Sequence, residues 1–157
     1  MVSLCLGLFF GFVFREILVD VKTESEEKMT DEELIQVARE YRERAYVPYS
    51  KFKVGAAVLT KAGKVYGGCN IENSSYPATN CAERTAIFKA ASEGEREFAA
   101  IAIIADTEDP CAPCGVCRQV MGEFGIPRII MTNLKGNTRV VTLEEVLPFA
   151  FSAKDLQ

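Results

Sequence analysis

Three cysteines and one glutamate carry the chemistry of this chain: Cys81-Ala82-Glu83 and, further on, Pro113-Cys114-Gly115-Val116-Cys117. Thiolates are soft ligands that suit zinc, and zinc takes four tetrahedral partners. Three protein ligands therefore leave one position for water, and a carboxylate two residues after the first ligand can manage that water's protons. This layout is hydrolytic. A structural site would need a fourth ligand, which Cys111 or Cys69 would supply.

The other cysteine reading is oxidative. Six cysteines (Cys5, Cys69, Cys81, Cys111, Cys114, Cys117) would allow three disulfides in a secreted domain. The chain is too rich in core residues to need such staples, and Cys111, Cys114 and Cys117 cluster at Cys-x-x-Cys-x-x-Cys spacing. Reduced thiols, metal binding and a cytoplasmic setting are expected.

Composition narrows the classes further. A length of 157 residues with 48% hydrophobic and 25% charged residues describes one globular domain with a full core. The chain has no histidine, which excludes histidine-dependent triads and histidine-rich zinc sites. A net charge of −4 disfavours DNA or RNA as partner. Residues 1–28 stand apart. Met1 to Phe14 is apolar but only 14 residues long, short for a bilayer span, and it has no basic residue ahead of it. The domain is expected to occupy residues 29–157, with 1–28 an extension outside the fold. An anchor lying at a membrane interface is the rival reading, and no membrane partner is expected.

The elements that must hold these residues can be traced from Thr30. Thr30-x-x-Glu33 is a capping box, and Leu34, Ala38, Tyr41 and Ala45 share one helical face up to Pro48. Lys53–Thr60 and Lys64–Ile71 read as a hairpin turned at Gly63. Asn80 is placed to cap a helix from about Cys81 to Ser92, closed by Gly94. Phe98–Ala105 is a continuous apolar run, the mark of a buried strand. A helix over Cys114–Phe124, strands over 129–131 and 139–141, and a helical turn at Thr142-x-x-Glu145 complete the pattern. The expected class is α/β: three α-β-α layers around a mixed five-stranded sheet.

Two helix starts then meet at the thiols. Helix N-termini carry partial positive charge and favour thiolate. Three thiolates on one zinc leave a negative centre, so a compensating cation is expected: Arg84 or Arg118. Gln119 is positioned by sequence to donate to a ligand sulfur.

Four ordered motifs resemble the cytidine deaminases, in their short, homotetrameric, three-cysteine zinc form. They are Tyr49-Ser50-Lys51-Phe52-Lys53-Val54-Gly55-Ala56-Ala57, Gly68-Cys69-Asn70-Ile71-Glu72-Asn73, Cys81-Ala82-Glu83-Arg84 and Pro113-Cys114-Gly115-Val116-Cys117-Arg118-Gln119. The resemblance runs from about residue 29 to the C-terminus. It implies Zn2+ on Cys81, Cys114 and Cys117, with Glu83 as the proton-handling catalytic residue. It also implies that Phe52 stacks on the pyrimidine, Asn70 and Glu72 bind ribose hydroxyls, and the Ala82 amide meets the base. Tyr76 and Phe151 would reach a neighbouring subunit's pocket. Phe149 stands where relatives commonly have a small residue. The implied reaction is cytidine to uridine and deoxycytidine to deoxyuridine with release of ammonia, a step of pyrimidine salvage. Without the resemblance, Phe52 reads as a core aromatic, Tyr76 as a loop aromatic, and Asn70 and Glu72 as polar residues at a strand end. A deaminase of another cytosine-bearing molecule, such as blasticidin S, and a silent zinc-binding module are the alternatives.

Overall fold

The computed structural model describes residues 29–156. The first helix, α1 (Asp31–Arg42), starts at the expected capping box: the Glu33 amide donates to Thr30 Oγ1 at 3.2 Å, and the Thr30 amide to Glu33 Oε2 at 2.8 Å. It ends at Arg42, well before Pro48. The backbone turns away there because Tyr46 pairs with the strand end opposite: its amide donates to the Asn70 carbonyl and its carbonyl accepts from the Glu72 amide. Ala45 therefore lies outside the helical face.

The strands β1 (Val54–Thr60) and β2 (Val65–Cys69) form the expected hairpin, with Gly63 at a positive φ of 83° in its turn. Next come α2 (Ala82–Ser92), β3 (Phe98–Ala105), α3 (Gly115–Glu123), β4 (Arg128–Asn133), β5 (Thr138–Thr142) and a short α4 (Leu143–Val146). The sheet order is β2-β1-β3-β4-β5. Only the β3–β4 pairing is parallel, and it is bridged by the crossover through α3.

Both faces of the sheet are covered, as an uninterrupted apolar β3 requires. Leu34 and Ala38 of α1 pack on Ala57, Ala102, Ile104 and Ile130. On the opposite face, Ala86 and Ile87 of α2 and Met121 of α3 pack on Ala56, Val58, Ile101, Ile103 and Ile129. Alternate residues of each strand serve the two layers, so the architecture is the expected three-layer α-β-α with a mixed five-stranded sheet.

The sheet's directions place the site. β2 and β3 each run antiparallel to β1, so both end at the same edge of the sheet. The helices that follow them, α2 and α3, lie on one face and begin at that edge. Close packing sets the depth of α2, and of α1 on the other face: a Cβ on Gly68 would stand 2.4 Å from the Ala86 amide nitrogen, and one on Gly55 only 2.0 Å from the Ala38 carbonyl oxygen. Backbone cannot yield as a flexible side chain can. Gly55→Ala is therefore expected to destabilise the protein by about 3 kcal/mol, at the upper end of overpacking costs. A chemical denaturation midpoint unchanged from the parent would show that α1 is free to move off the sheet.

Candidate active site and metal centre

Cys81 and Cys114 are the N-cap residues of α2 and α3, and neither side chain makes a capping hydrogen bond. Asn80, the expected cap, instead donates from Nδ2 to Thr85 Oγ1 at 3.0 Å. A polar N-cap side chain turns back onto its own helix. A thiol does so weakly, which leaves the sulfur free to point outward at the positive end of the helix. Cys117, in the first turn of α3, is fully buried.

The three sulfurs lie within 4.8 Å of one another, and the Cys81 and Cys114 Sγ atoms are 3.9 Å apart. Tetrahedral zinc with bonds of about 2.3 Å separates its sulfur ligands by about 3.8 Å. The donor set fits zinc in both geometry and softness. Among the described residues this is the one such group of three or more metal-ligating side chains, and neither Cys111 nor Cys69 belongs to it. Cys111 packs partly buried against the core, its thiol pushed up to about 11 by burial and by the Glu83 charge. Cys69 is buried, which also raises its thiol.

Of the two candidate cations, only Arg84 meets the thiols. Its Nη2 donates to Cys81 Sγ at 3.4 Å and to the Thr79 carbonyl at 3.2 Å. The Cys81 thiol is pushed down to about 5, first by the hydrogen bond from Cys117 and then, against the cost of burial, by the Arg84 guanidinium. Cys117 is raised correspondingly, by its bond to Cys81 and by burial. Arg118 does other work. Its Nε donates to the Pro113 carbonyl at 2.8 Å and its Nη1 to the Val146 carbonyl at 3.1 Å, tying the loop before α3 to α4. Gln119 also departs from expectation: its Nε2 donates to the Phe151 carbonyl at 2.9 Å, not to a sulfur. Its position on α3 aims it at the C-terminal segment rather than at the helix's thiol-bearing end.

Glu83 lies in the first turn of α2, only 4% exposed, beside the sulfur cluster but outside it. Burial pushes its carboxyl up to about 7; its own backbone amide opposes the rise and the Cys81 charge adds to it. A carboxyl so raised exchanges protons readily near neutrality. Ala82, which precedes it, is fully buried.

Asn70 and Glu72 both face the loop between α1 and β1. Asn70 Oδ1 accepts from the Val54 amide at 2.9 Å, and its Nδ2 donates to the Phe52 carbonyl at 2.8 Å. Glu72 Oε2 accepts from the amides of Tyr49 at 2.9 Å and Ser50 at 3.2 Å, and its Oε1 from the Ser50 hydroxyl. The Ser50 hydroxyl, followed by these amides, holds the Glu72 carboxyl below the usual carboxylate range. Phe52 is 42% exposed, not a core residue. An open cleft of about 450 Å³ is lined by Tyr49, Ser50, Glu72, Tyr76 and Thr79. Tyr76 is 73% exposed and meets Tyr49 edge-on, centroids 6.2 Å apart. Phe151 is exposed on the C-terminal segment, where it lines a second cleft with Gly122 and Leu143, not the Tyr49–Tyr76 one. Sequence reasoning missed Tyr49 and Ser50 as site residues. Both stand in the Tyr49–Ala57 motif that carries the resemblance, but a loop aromatic and a serine have no periodicity that announces a role of their own.

With this geometry in view, the comparisons are specific. The family model for the cytidine and deoxycytidylate deaminase zinc-binding region matches residues 28–133. The chain is 57% identical over 130 residues to the cytidine deaminase of Sporosarcina psychrophila, covering 82% of this chain and 96% of that protein. It is also similar to the Blasticidin-S deaminase of Bacillus cereus, at 31% identity over 130 residues, with 78% of this chain and 92% of that protein covered. The crystal structure of cytidine deaminase from Burkholderia pseudomallei superposes with a TM-score of 0.77 at 54% identity, over 78% of this chain and all of that one.

The sulfur geometry predicts that one zinc per chain survives Cys111→Ser and is lost in Cys114→Ser. Metal analysis of the two purified variants checks this. Equal loss in both would make the site a four-cysteine structural one.

Proposed function

The chain belongs to the cytidine and deoxycytidylate deaminase zinc-binding family, and from that premise we propose that it converts cytidine to uridine and deoxycytidine to deoxyuridine by hydrolysis, releasing ammonia. The observation that carries this reading is Glu83: a carboxyl almost wholly buried against three metal-binding sulfurs and not one of the ligands. A structural zinc site has no use for such a group.

Zinc, held by Cys81, Cys114 and Cys117, supplies the Lewis acidity that makes water a nucleophile at neutral pH. Glu83 takes a proton from the attacking water and delivers it to N3 of the pyrimidine as the new C–O bond forms at C4. It then moves a second proton to the exocyclic nitrogen, which leaves as ammonia. Water supplies the oxygen and both protons, so the reaction balances with no organic cofactor. Arg84 offsets the negative charge of the thiolates. The Ala82 amide meets the base and Phe52 stacks on it. Asn70 and Glu72 take the sugar hydroxyls with the hydrogen-bonding capacity that the loop leaves them.

The functional unit is a homotetramer in which Tyr76 and Phe151, both exposed in the single chain, complete a neighbouring pocket. The catalytic domain spans 29–157, and residues 1–28 extend it. Thiolate ligands need a reducing compartment, which supports a cytoplasmic role in pyrimidine salvage. Among the described residues no helix is long and apolar enough to cross a membrane.

Glu83→Gln keeps the size of the side chain and loses the proton shuttle. Transfer by one positioned group contributes about a hundred- to ten-thousand-fold, and Glu83 acts at more than one step, so turnover should fall by at least about ten-thousand-fold while zinc content holds. Turnover within tenfold of the parent, zinc retained, would mean that another group moves the proton. A protein beginning at Met29 is expected to run as a tetramer in light scattering with full activity. A fully active monomer would refute the shared-site assembly.

A further inference from the structure

The loop that carries Phe52 is held in an unfavourable shape by residues that the deaminase reading assigns to the sugar. Lys51 has a φ of 60°, in the left-handed region that side-chain-bearing residues seldom adopt. Phe52, next to it, has both backbone polar groups held by side chains. Its amide donates to Ser50 Oγ at 3.0 Å, and its carbonyl accepts from Asn70 Nδ2 at 2.8 Å. Ser50 Oγ in turn donates to Glu72 Oε1, while its own amide donates to Glu72 Oε2 at 3.2 Å. One hydroxyl thus joins the Glu72 carboxylate to the Phe52 backbone, and it does so at the wall of the Tyr49–Tyr76 cleft.

We propose that Ser50 is a positioning residue for nucleoside binding: its hydroxyl couples the sugar-facing carboxylate of Glu72 to the backbone of Phe52 and so fixes the ring that stacks on the base. The inference rests on the deaminase reading above, because it needs Phe52 to touch substrate. It also explains the tolerated strain at Lys51, which the surrounding bonds over-determine. A carboxylate offers about four acceptor positions. Three on Glu72 are taken by Tyr49 and Ser50. One remains for a sugar hydroxyl. Sugar and base recognition are therefore built on one polar relay, not on two independent contacts.

The test is a double-mutant cycle on steady-state deamination of cytidine, using full-length zinc-loaded enzyme. Ser50→Ala should raise KM about tenfold with kcat nearly unchanged, the pattern of binding lost equally from ground and transition states. Ser50→Thr, which keeps the hydroxyl, should restore the parent KM. Phe52→Ala should lower kcat/KM, and adding Ser50→Ala to it should cost no more than about a further twofold, because Ser50 acts through that ring. A KM for Ser50→Ala within twofold of the parent overturns the proposal. So does a fully multiplicative loss in the double variant, or a Ser50→Ala protein that no longer folds, since either makes the serine's role independent of the ring. A parent inert toward both nucleosides removes the deaminase reading and this inference with it. An active parent with an indifferent Ser50→Ala removes this inference alone.

Discussion

Everything at this site depends on bringing three sulfurs to within bonding distance of one ion. Like-charged thiolates resist that approach, and the fold overcomes the resistance with helix geometry. Because β2 and β3 end at the same sheet edge, α2 and α3 start side by side, and their N-termini aim unsatisfied amides and positive dipole ends at the same point. Arg84 adds a full positive charge 3.4 Å from Cys81 Sγ. The ligand residues could not be moved along their helices without losing this, since Cys81 and Cys114 are the caps themselves.

The same constraint explains Glu83. A residue two positions beyond an N-cap sits in the first helical turn, over the helix end, where the packing of α2 on the sheet buries it. Burial favours its neutral form, and the Cys81 charge pushes the same way, while its own backbone amide and the Cys117 thiol hold back part of the rise. A carboxyl that alternates between charged and neutral during a reaction gains from such a setting, because neither state is strongly favoured. The small residues at the contact, Gly68 against Ala82 and Ala86, let the helix come this close.

The grouping of the three cysteines and the layer order were legible because they follow from short-range rules, ligand spacing and the period of apolar residues, whereas the roles given to the ligands and to Glu83 came from the resemblance. The apolar run of β3 and the Thr30 and Thr142 capping boxes needed only local sequence. What sequence did not show was the destination of polar side chains whose partners lie far along the chain. Arg118 and Gln119 sit beside a metal ligand in sequence, yet both turn toward the C-terminal segment. The end of α1 was misplaced for a related reason. Apolar spacing continued to Ala45, but pairing of Tyr46 with Asn70 and Glu72 won the backbone for extended structure.

Asn70 and Glu72 show the further consequence of this wiring. Each was expected to contact sugar, and each is also bonded to the backbone that carries Phe52. On the proposed reading, removing either side chain subtracts two things at once: a substrate contact and the geometry of a neighbouring contact. Loss of activity on deleting Glu72 would not measure a sugar hydrogen bond, any more than loss on deleting Asn70 would. The two contributions separate only in a background where the loop can no longer transmit its shape to the ring. The loop and the strand end are wired as a unit, and the proposal gives the serine between them more weight than its small, exposed side chain suggests.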